Sequence, residues 1–225
     1  MEAAAVAAVG LVRSGMRIGL GTGRTARYAT QLVAHLLHDG TLRDVVAYPT
    51  SKATRRDAQA FAIPLLDEAL AVELDLTIDG ADEIDPDMNL IKGGGGALLR
   101  EKITAQASRR LVIVADEGKV TPQLGGTRPV PVEVLRFGWQ SQQRFLASFG
   151  AEVVVRPGAD GGSFTTDSGN LILDCHFGPI ADAAGLALVL DGRAGIVEHG
   201  LFIGLAHDVF IGGAEGVQHR TRRDG

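Results

Sequence analysis

The sequence predicts an α/β protein: a mainly parallel sheet with helices on both faces, joined to a smaller α+β part. Three observations lead there. Up to Lys119, short apolar runs alternate with segments of helical spacing, which is the pattern of repeated βαβ units. Each glycine-rich or polar motif in that region directly follows an apolar run, which places it at the carboxyl edge of the sheet, where open α/β folds bind ligands. Beyond Lys119 the texture changes to shorter strands, glycine turns and isolated helices.

Residues 2–13 are alanine-rich and predict a helix that stops near Ser14 and Gly15. The run at 17–20 feeds the loop G-L-G-T-G-R-T-A at 19–26, and Tyr28, Leu32, Leu36 and Leu37 continue it as a helix. A second strand at 45–48 leads into P-T-S-K-A-T at 49–54 and a helix to Phe61. The third strand, 74–78, runs into D-G-A-D-E-I-D at 79–85. Next come K-G-G-G-G-A-L-L-R-E-K at 92–102, a helix over 97–108, and a strand at 111–115 that ends in D-E-G-K. The stretch R-P-V-P-V-E-V at 128–134 reads as a crossing between domains. After it we expect a helix at 139–149, a strand at 152–155, a turn at 158–162, a strand pair at 163–166 and 170–175, a helix at 180–190 and a strand at 196–197. Residues 200–213 regain the apolar strand texture and can rejoin the first sheet, while 218–225 read as a polar, solvated tail. The expected domains are 1–127 with 200–225, and 128–199.

Length and composition narrow the function. A chain of 225 residues, 45% hydrophobic and 22% charged, can bury a substantial core. A net charge of −5 argues against nucleic acid or an anionic membrane as partner. The single cysteine, Cys175, rules out an internal disulfide and a cysteine zinc site. No apolar run reaches the length of a membrane span, and the alanine-rich start opens on Glu2 rather than a basic segment. These features read as a cytoplasmic protein.

Gly21 to Ala26 fit a G-x-G-x-x-A pattern, yet the second strand ends in Tyr48-Pro49 rather than the acid a dinucleotide site needs. A phosphate loop at a helix N-terminus fits better. Backbone N–H groups around Gly23, the hydroxyls of Thr22 and Thr25, and the Arg24 cation would hold the anion. Asp85, Asp87 and Asn89 open like a calcium loop, but Leu90 and Gly96 stand where glycine and glutamate are required. Asp85, Asp87 and Glu83 read as residues of a solvated turn. Asp79 and Asp82 flank Gly80 and Ala81 straight after a buried strand, where a carboxylate without a task is costly. Ser51 and Thr54 read as helix caps. Carboxylates and Lys92 on either side of Gly93, Gly94 and Gly95, with Glu101 beyond, suggest chemistry by proton transfer.

In series, these motifs and P-V-P-V-E-V at 129–134 resemble the A-type ribose-5-phosphate isomerases, in that family's order and over nearly the whole chain. The resemblance implies a Rossmann-like larger domain and a smaller α+β domain that helps form a homodimer or homotetramer. It implies a metal-free, cofactor-free aldose–ketose isomerase acting on a sugar phosphate through an enediol or enediolate. Glu101 then matches the general base, and Asp79, Asp82 and Lys92 the polar groups around the substrate. Thr22, Gly23, Arg24 and Thr25 match the substrate loop, Gly80, Ala81, Gly93, Gly94 and Gly95 the backbone lining, and Lys119 a substrate-binding lysine. Arg24 departs from the family's usual serine, and Gly118 replaces a serine. Sugar-phosphate deaminases, lactonases and sugar-sensing regulators are the competing classes; the combined acid and glycine motifs and the acidic net charge speak against them.

Overall fold

The computed structural model describes residues 2–69 and 73–222. In chain order the first elements are α1 (Glu2–Val9), β1 (Arg17–Leu20), α2 (Arg24–His38), β2 (Val46–Pro49), α3 (Lys52–Ala60), β3 (Leu76–Asp79), β4 (Glu83–Ile84), β5 (Leu90–Ile91), α4 (Leu98–Gln106) and β6 (Leu111–Asp116). A 3₁₀ turn (Glu117–Lys119) precedes β7 (Val130–Val134), α5 (Trp139–Ala147), β8 (Glu152–Val155), β9 (Leu171–His176), α6 (Ala183–Asp191), β10 (Ile196–His199), β11 (Leu201–Phe202), β12 (Asp208–Gly213) and β13 (Gly216–Thr221). The chain forms two compact units. One comprises Met1–Ala81, Arg100–Lys119 and Leu205–Gly225; the other comprises Asp82–Leu99 and Val120–Gly204.

The first unit is built on a six-stranded sheet in the order β13-β12-β6-β3-β1-β2, parallel except for the antiparallel edge strand β13. Side chains alternate across a strand. Ile18, Leu20, Leu76, Ile78, Val112, Val114 and Phe210 pack with Ala4, Ala5, Ala8 and Val9 of α1 and with Ala29 and Val33 of α2. Each buried Leu or Ile contributes roughly 1.5–3 kcal/mol. The opposite face receives α4: a Cβ added to Gly19 would lie 2.7 Å from Thr104 Cγ2. Helices therefore cover both faces, as expected of this α/β class.

The second unit has two small antiparallel sheets, β10-β7-β9-β8 and β11-β5-β4. Val130, Val132 and Val134 pair in register with Cys175, Leu173 and Leu171. Their common face is closed by Leu146 of α5 and by Ala187 and Leu190 of α6. Asp182 starts α6 by accepting the Gly185 N–H at 2.8 Å. Burial pushes the Cys175 thiol up, so it is an inert core residue.

Several expected elements differ. The first helix ends at Val9, because Gly10 loosens the chain and Leu11 and Val12 close tight turns onto Ala8 and Val9. Residues 163–166 form no strand; β9 pairs with β8 and β7 instead. Arg128 to Val134, read as a crossing stretch, contains the interior strand β7. Within residues 200–213, β12 rejoins the large sheet beside β6, while β11 pairs with β5. The supposed tail holds β13, whose exposed polar residues at an edge give no apolar alternation to read; residues 223–225 lie outside the described residues.

Candidate active site

The first unit gathers its polar groups where β1, β2, β3 and β6 end, at one edge because these strands run parallel. Gly21 follows β1 as glycine because a Cβ there would lie 2.5 Å from Asp79 Cα. Asp79, the last residue of β3, is buried; its Oδ1 accepts the N–H groups of Gly80 at 2.7 Å and Thr22 at 3.2 Å. The Thr22 hydroxyl lies within 2.8–3.0 Å of the hydroxyls of Thr50, Ser51 and Thr54. Ser51 caps α3 by accepting the Thr54 N–H, as expected, and Thr54 donates to the Gly21 carbonyl. These hydroxyls stitch the loop after β1 to the loop after β2.

Gly23 is the N-cap of α2 with φ 109° and, as a glycine, offers the helix no side-chain cap. Its first-turn N–H groups, with the positive end of a 15-residue helix behind them, suit an anion. Arg24, the first helical residue, is exposed, and Thr25 is half-buried. Glu101 lies in the first turn of α4 and is only 4% exposed, unusual for a glutamate on a short helix. Gly80 and Ala81 are half-buried, as is Lys119 at the end of the 3₁₀ turn after β6.

The second unit holds Asp82, Lys92 and the glycine loop. Asp82 N–H donates to the Ile91 carbonyl and Lys92 N–H to the Gly200 carbonyl, which anchors both ends of the β4–β5 hairpin. Asp82 Oδ2 accepts the Gly94 N–H at 2.7 Å. Lys92 is buried, with its ammonium 5.5 Å from the Phe202 ring centroid, in cation–π range. Gly93 and Gly96 are buried with φ of 101° and 84°, while Gly94 and Gly95 are exposed. A side chain at Gly94 would meet the Asp82 carboxylate, and one at Gly96 would meet the Phe164 ring.

Thr22, Asp79 and Gly80 are thus brought into contact within the first unit, and Asp82 with Gly94 within the second. Sequence reasoning missed three groups. Thr50 joins the hydroxyl cluster, although its place directly after a strand was a signal. Arg156 reaches the carbonyls of Gly93 and Gly94 from 63 and 62 residues away, a distance no local pattern encodes. Glu83, read as a solvated turn residue, is buried. It accepts the N–H groups of Gly125, Thr127 and Arg128 and the Thr127 hydroxyl. Asp85 does behave as a turn residue, bonded to Asn89.

Among the described residues, Asp191, Glu198 and His199 could together face a cation. However, His199 Nδ1 accepts the Leu201 N–H, so the neutral ring carries its hydrogen on Nε2, toward Asp191 Oδ1 at 3.0 Å. That is a hydrogen-bonded pair rather than an open ligand set. No helix among the described residues is long and apolar enough to cross a membrane.

Residues 46–216 match the family model described as ribose 5-phosphate isomerase A (phosphoriboisomerase A). The chain belongs to that family. Enzymes of the ribose 5-phosphate isomerase A family interconvert ribose 5-phosphate and ribulose 5-phosphate, and this chain is an isomerase of that kind, with a sugar phosphate as substrate. It is 57% identical to the ribose-5-phosphate isomerase A of Chloroflexus aurantiacus, over 98% of this chain and 92% of the relative. A D-ribose-5-phosphate isomerase solved in complex with phospho-erythronic acid superposes with a TM-score of 0.95 at 35% identity, covering 98% of this chain and 97% of the other. The ribose 5-phosphate isomerase of Plasmodium falciparum gives a TM-score of 0.94 at 37% identity, with both chains fully covered.

Proposed function

We propose that Glu101 is the single base of the isomerisation, and that the reaction passes through an enediolate without a metal or cofactor. The observation that carries this reading is the burial of Glu101 in the first turn of α4, the helix that follows the glycine motif in the chain. Glu101 takes the proton from carbon 2 of the open aldose, and the electron pair left behind forms the carbon 1–carbon 2 double bond. Negative charge moves onto oxygen 1, where Lys92 and the N–H groups of Gly93 and Gly95 stabilise it, while the Gly94 N–H of the same loop holds Asp82. Oxygen 1 gains a proton and oxygen 2 loses one, while Glu101 returns its proton to carbon 1, giving the ketose. Asp79 and Asp82 carry the hydroxyl protons and assist ring opening. Both are held for such a role by N–H donors.

Thr22, Gly23, Arg24 and Thr25 bind the phosphate at the start of α2, assisted by Lys119, while Gly80 and Ala81 line the sugar. The phospho-erythronic acid bound by one structural neighbour supports a phosphorylated ligand and an enediolate-like intermediate. It joins a phosphate to a carboxylate whose two coplanar oxygens imitate an enediolate.

The domains we propose are a catalytic part, 1–127 with 200–225, and a smaller part, 128–199, that forms a homodimer or homotetramer. The oligomer is supported by exposed apolar side chains in the second unit: Phe137 is 93% exposed, with Leu135, Val154 and Leu188 also exposed. A single buried thiol supports a cytoplasmic location.

The test is turnover of ribose 5-phosphate in deuterated buffer with chelator present. Ribulose 5-phosphate should form and carry solvent deuterium at carbon 1. Glu101→Gln should lower kcat by about 10²–10⁴-fold with little change in KM. Near-normal turnover would remove Glu101 as the base, and activity abolished by chelator would overturn the metal-free step.

A further inference from the structure

We infer that Arg156 is a positioning residue for the reaction, fixing the direction in which the glycine loop presents its N–H groups. This rests on the reading above, in which that loop faces the developing oxyanion. Arg156 follows β8, its backbone held by Ile172 and Phe164. Its Nη1 donates to the carbonyls of Gly93 at 2.8 Å and Gly94 at 3.2 Å. Nε and Nη2 form a two-point pair with the Asp174 carboxylate of β9, and both side chains are largely buried. The guanidinium also lies 5.8 Å from the Phe164 ring, which occupies the space left open at Gly96.

The consequence follows from peptide planarity. In a trans peptide the C=O and the following N–H point in opposite directions. With the carbonyls of Gly93 and Gly94 turned to Arg156, the N–H groups of Gly94 and Gly95 must point the other way. The first of these is seen donating to Asp82. Glycines at 93–96 have wide backbone freedom; the Gly96 N–H, which donates to the Gly93 carbonyl at 2.9 Å, and Asp82, which accepts the Gly94 N–H, restrain the first of these peptides. Arg156 reinforces that hold, restrains the Gly94–Gly95 peptide through the Gly94 carbonyl and, as a cation on the carbonyl side, polarises both peptides so that their N–H groups donate more strongly. Lysine could not serve equally: the planar fork is what lets one residue hold Asp174 and both carbonyls at once.

The experiment measures kcat, KM and thermal midpoint for Arg156→Met and Arg156→Lys. Asp182→Ala serves as a control that removes a helix cap in the same unit but nothing near the loop. Arg156→Met should lose about 10–100-fold in kcat with KM changed less than about threefold. Arg156→Lys should lie between it and the wild type, and Asp182→Ala should keep wild-type kcat. If Arg156→Met does not fold, Arg156→Lys decides: a kcat loss of at least fivefold supports the proposal, and a smaller one overturns it. A folded Arg156→Met with kcat within twofold of wild type overturns it too, as does a loss matched by Asp182→Ala at equal stability. If Glu101→Gln is inactive while Arg156→Met is normal, only the positioning role fails. If Glu101→Gln is active, the base assignment fails instead.

Discussion

Replacing Glu83 by glutamine tests how much a buried carboxylate without a cationic partner among its hydrogen-bond donors contributes to the second unit. Its Oε2 accepts the Gly125 N–H at 2.6 Å, and Oε1 accepts Thr127 N–H, Thr127 hydroxyl and Arg128 N–H at 2.6–2.7 Å. A glutamine oxygen in the Oε1 place keeps three donors satisfied, but the amide NH₂ then faces the Gly125 N–H. Orphaning that buried donor costs about 1–3 kcal/mol, and each remaining bond weakens by about 1 kcal/mol on losing its charge. Removal of the buried charge offsets part of this, leaving about 4 kcal/mol, a large share of typical domain stability. Trp139, the only tryptophan, lies in α5 of this unit, so its fluorescence reports the unit's unfolding. With a urea dependence of about 2.5 kcal/mol per molar, the midpoint should fall by about 1.5 M. A fall below about 0.4 M would show that the clamp does not hold the loop and would refute the reasoning.

Two further perturbations act on the first unit. Gly21→Ala drives a Cβ to 2.5 Å from the backbone of Asp79, so we expect a loss of about 3 kcal/mol or failure to fold; a thermal midpoint within 2 °C of wild type, where roughly 3 °C per kcal/mol is expected for this size, would contradict it. At Asp208, burial pushes the carboxyl up, but hydrogen bonds from Arg110, His219 and Thr221 and the Arg110 charge outweigh it and hold the carboxyl below the ordinary aspartate range. A lowered folded value contributes stability above the unfolded value that is lost as pH falls through the folded one. Asp208→Asn should therefore be less stable than wild type at pH 7 and converge with it in acid, which pH-dependent urea midpoints would check.

The legible parts of this protein were those set by neighbours in sequence. Alternating apolar runs gave β1, β2, β3 and β6 to within two residues. The end of each run located Thr22, Asp79 and Lys119, because a parallel sheet puts all such ends at one edge. Ser51 was recognisable as a cap because capping is a contact across three residues. Glu83 was misread for the opposite reason. Beside Asp82, Asp85 and Asp87 it looked solvated, and its donors lie 42–45 residues away.

The glycine motifs mark where the division falls. Sequence alone determined that the backbone at 19–23 and 93–96 must bend or approach something closely, since only glycine lacks a Cβ. What it approaches was decided by the tertiary structure: Asp79 at Gly21, Asp82 at Gly94 and Phe164 at Gly96. The glycines make room first for the protein's own carboxylates and rings, which then fix where the remaining N–H groups point. That direction depends on Arg156 and Asp174, brought together by the pairing of β8 with β9, and on Asp82 beside the β4–β5 hairpin, and such meetings arise from packing over long separations rather than from local pattern.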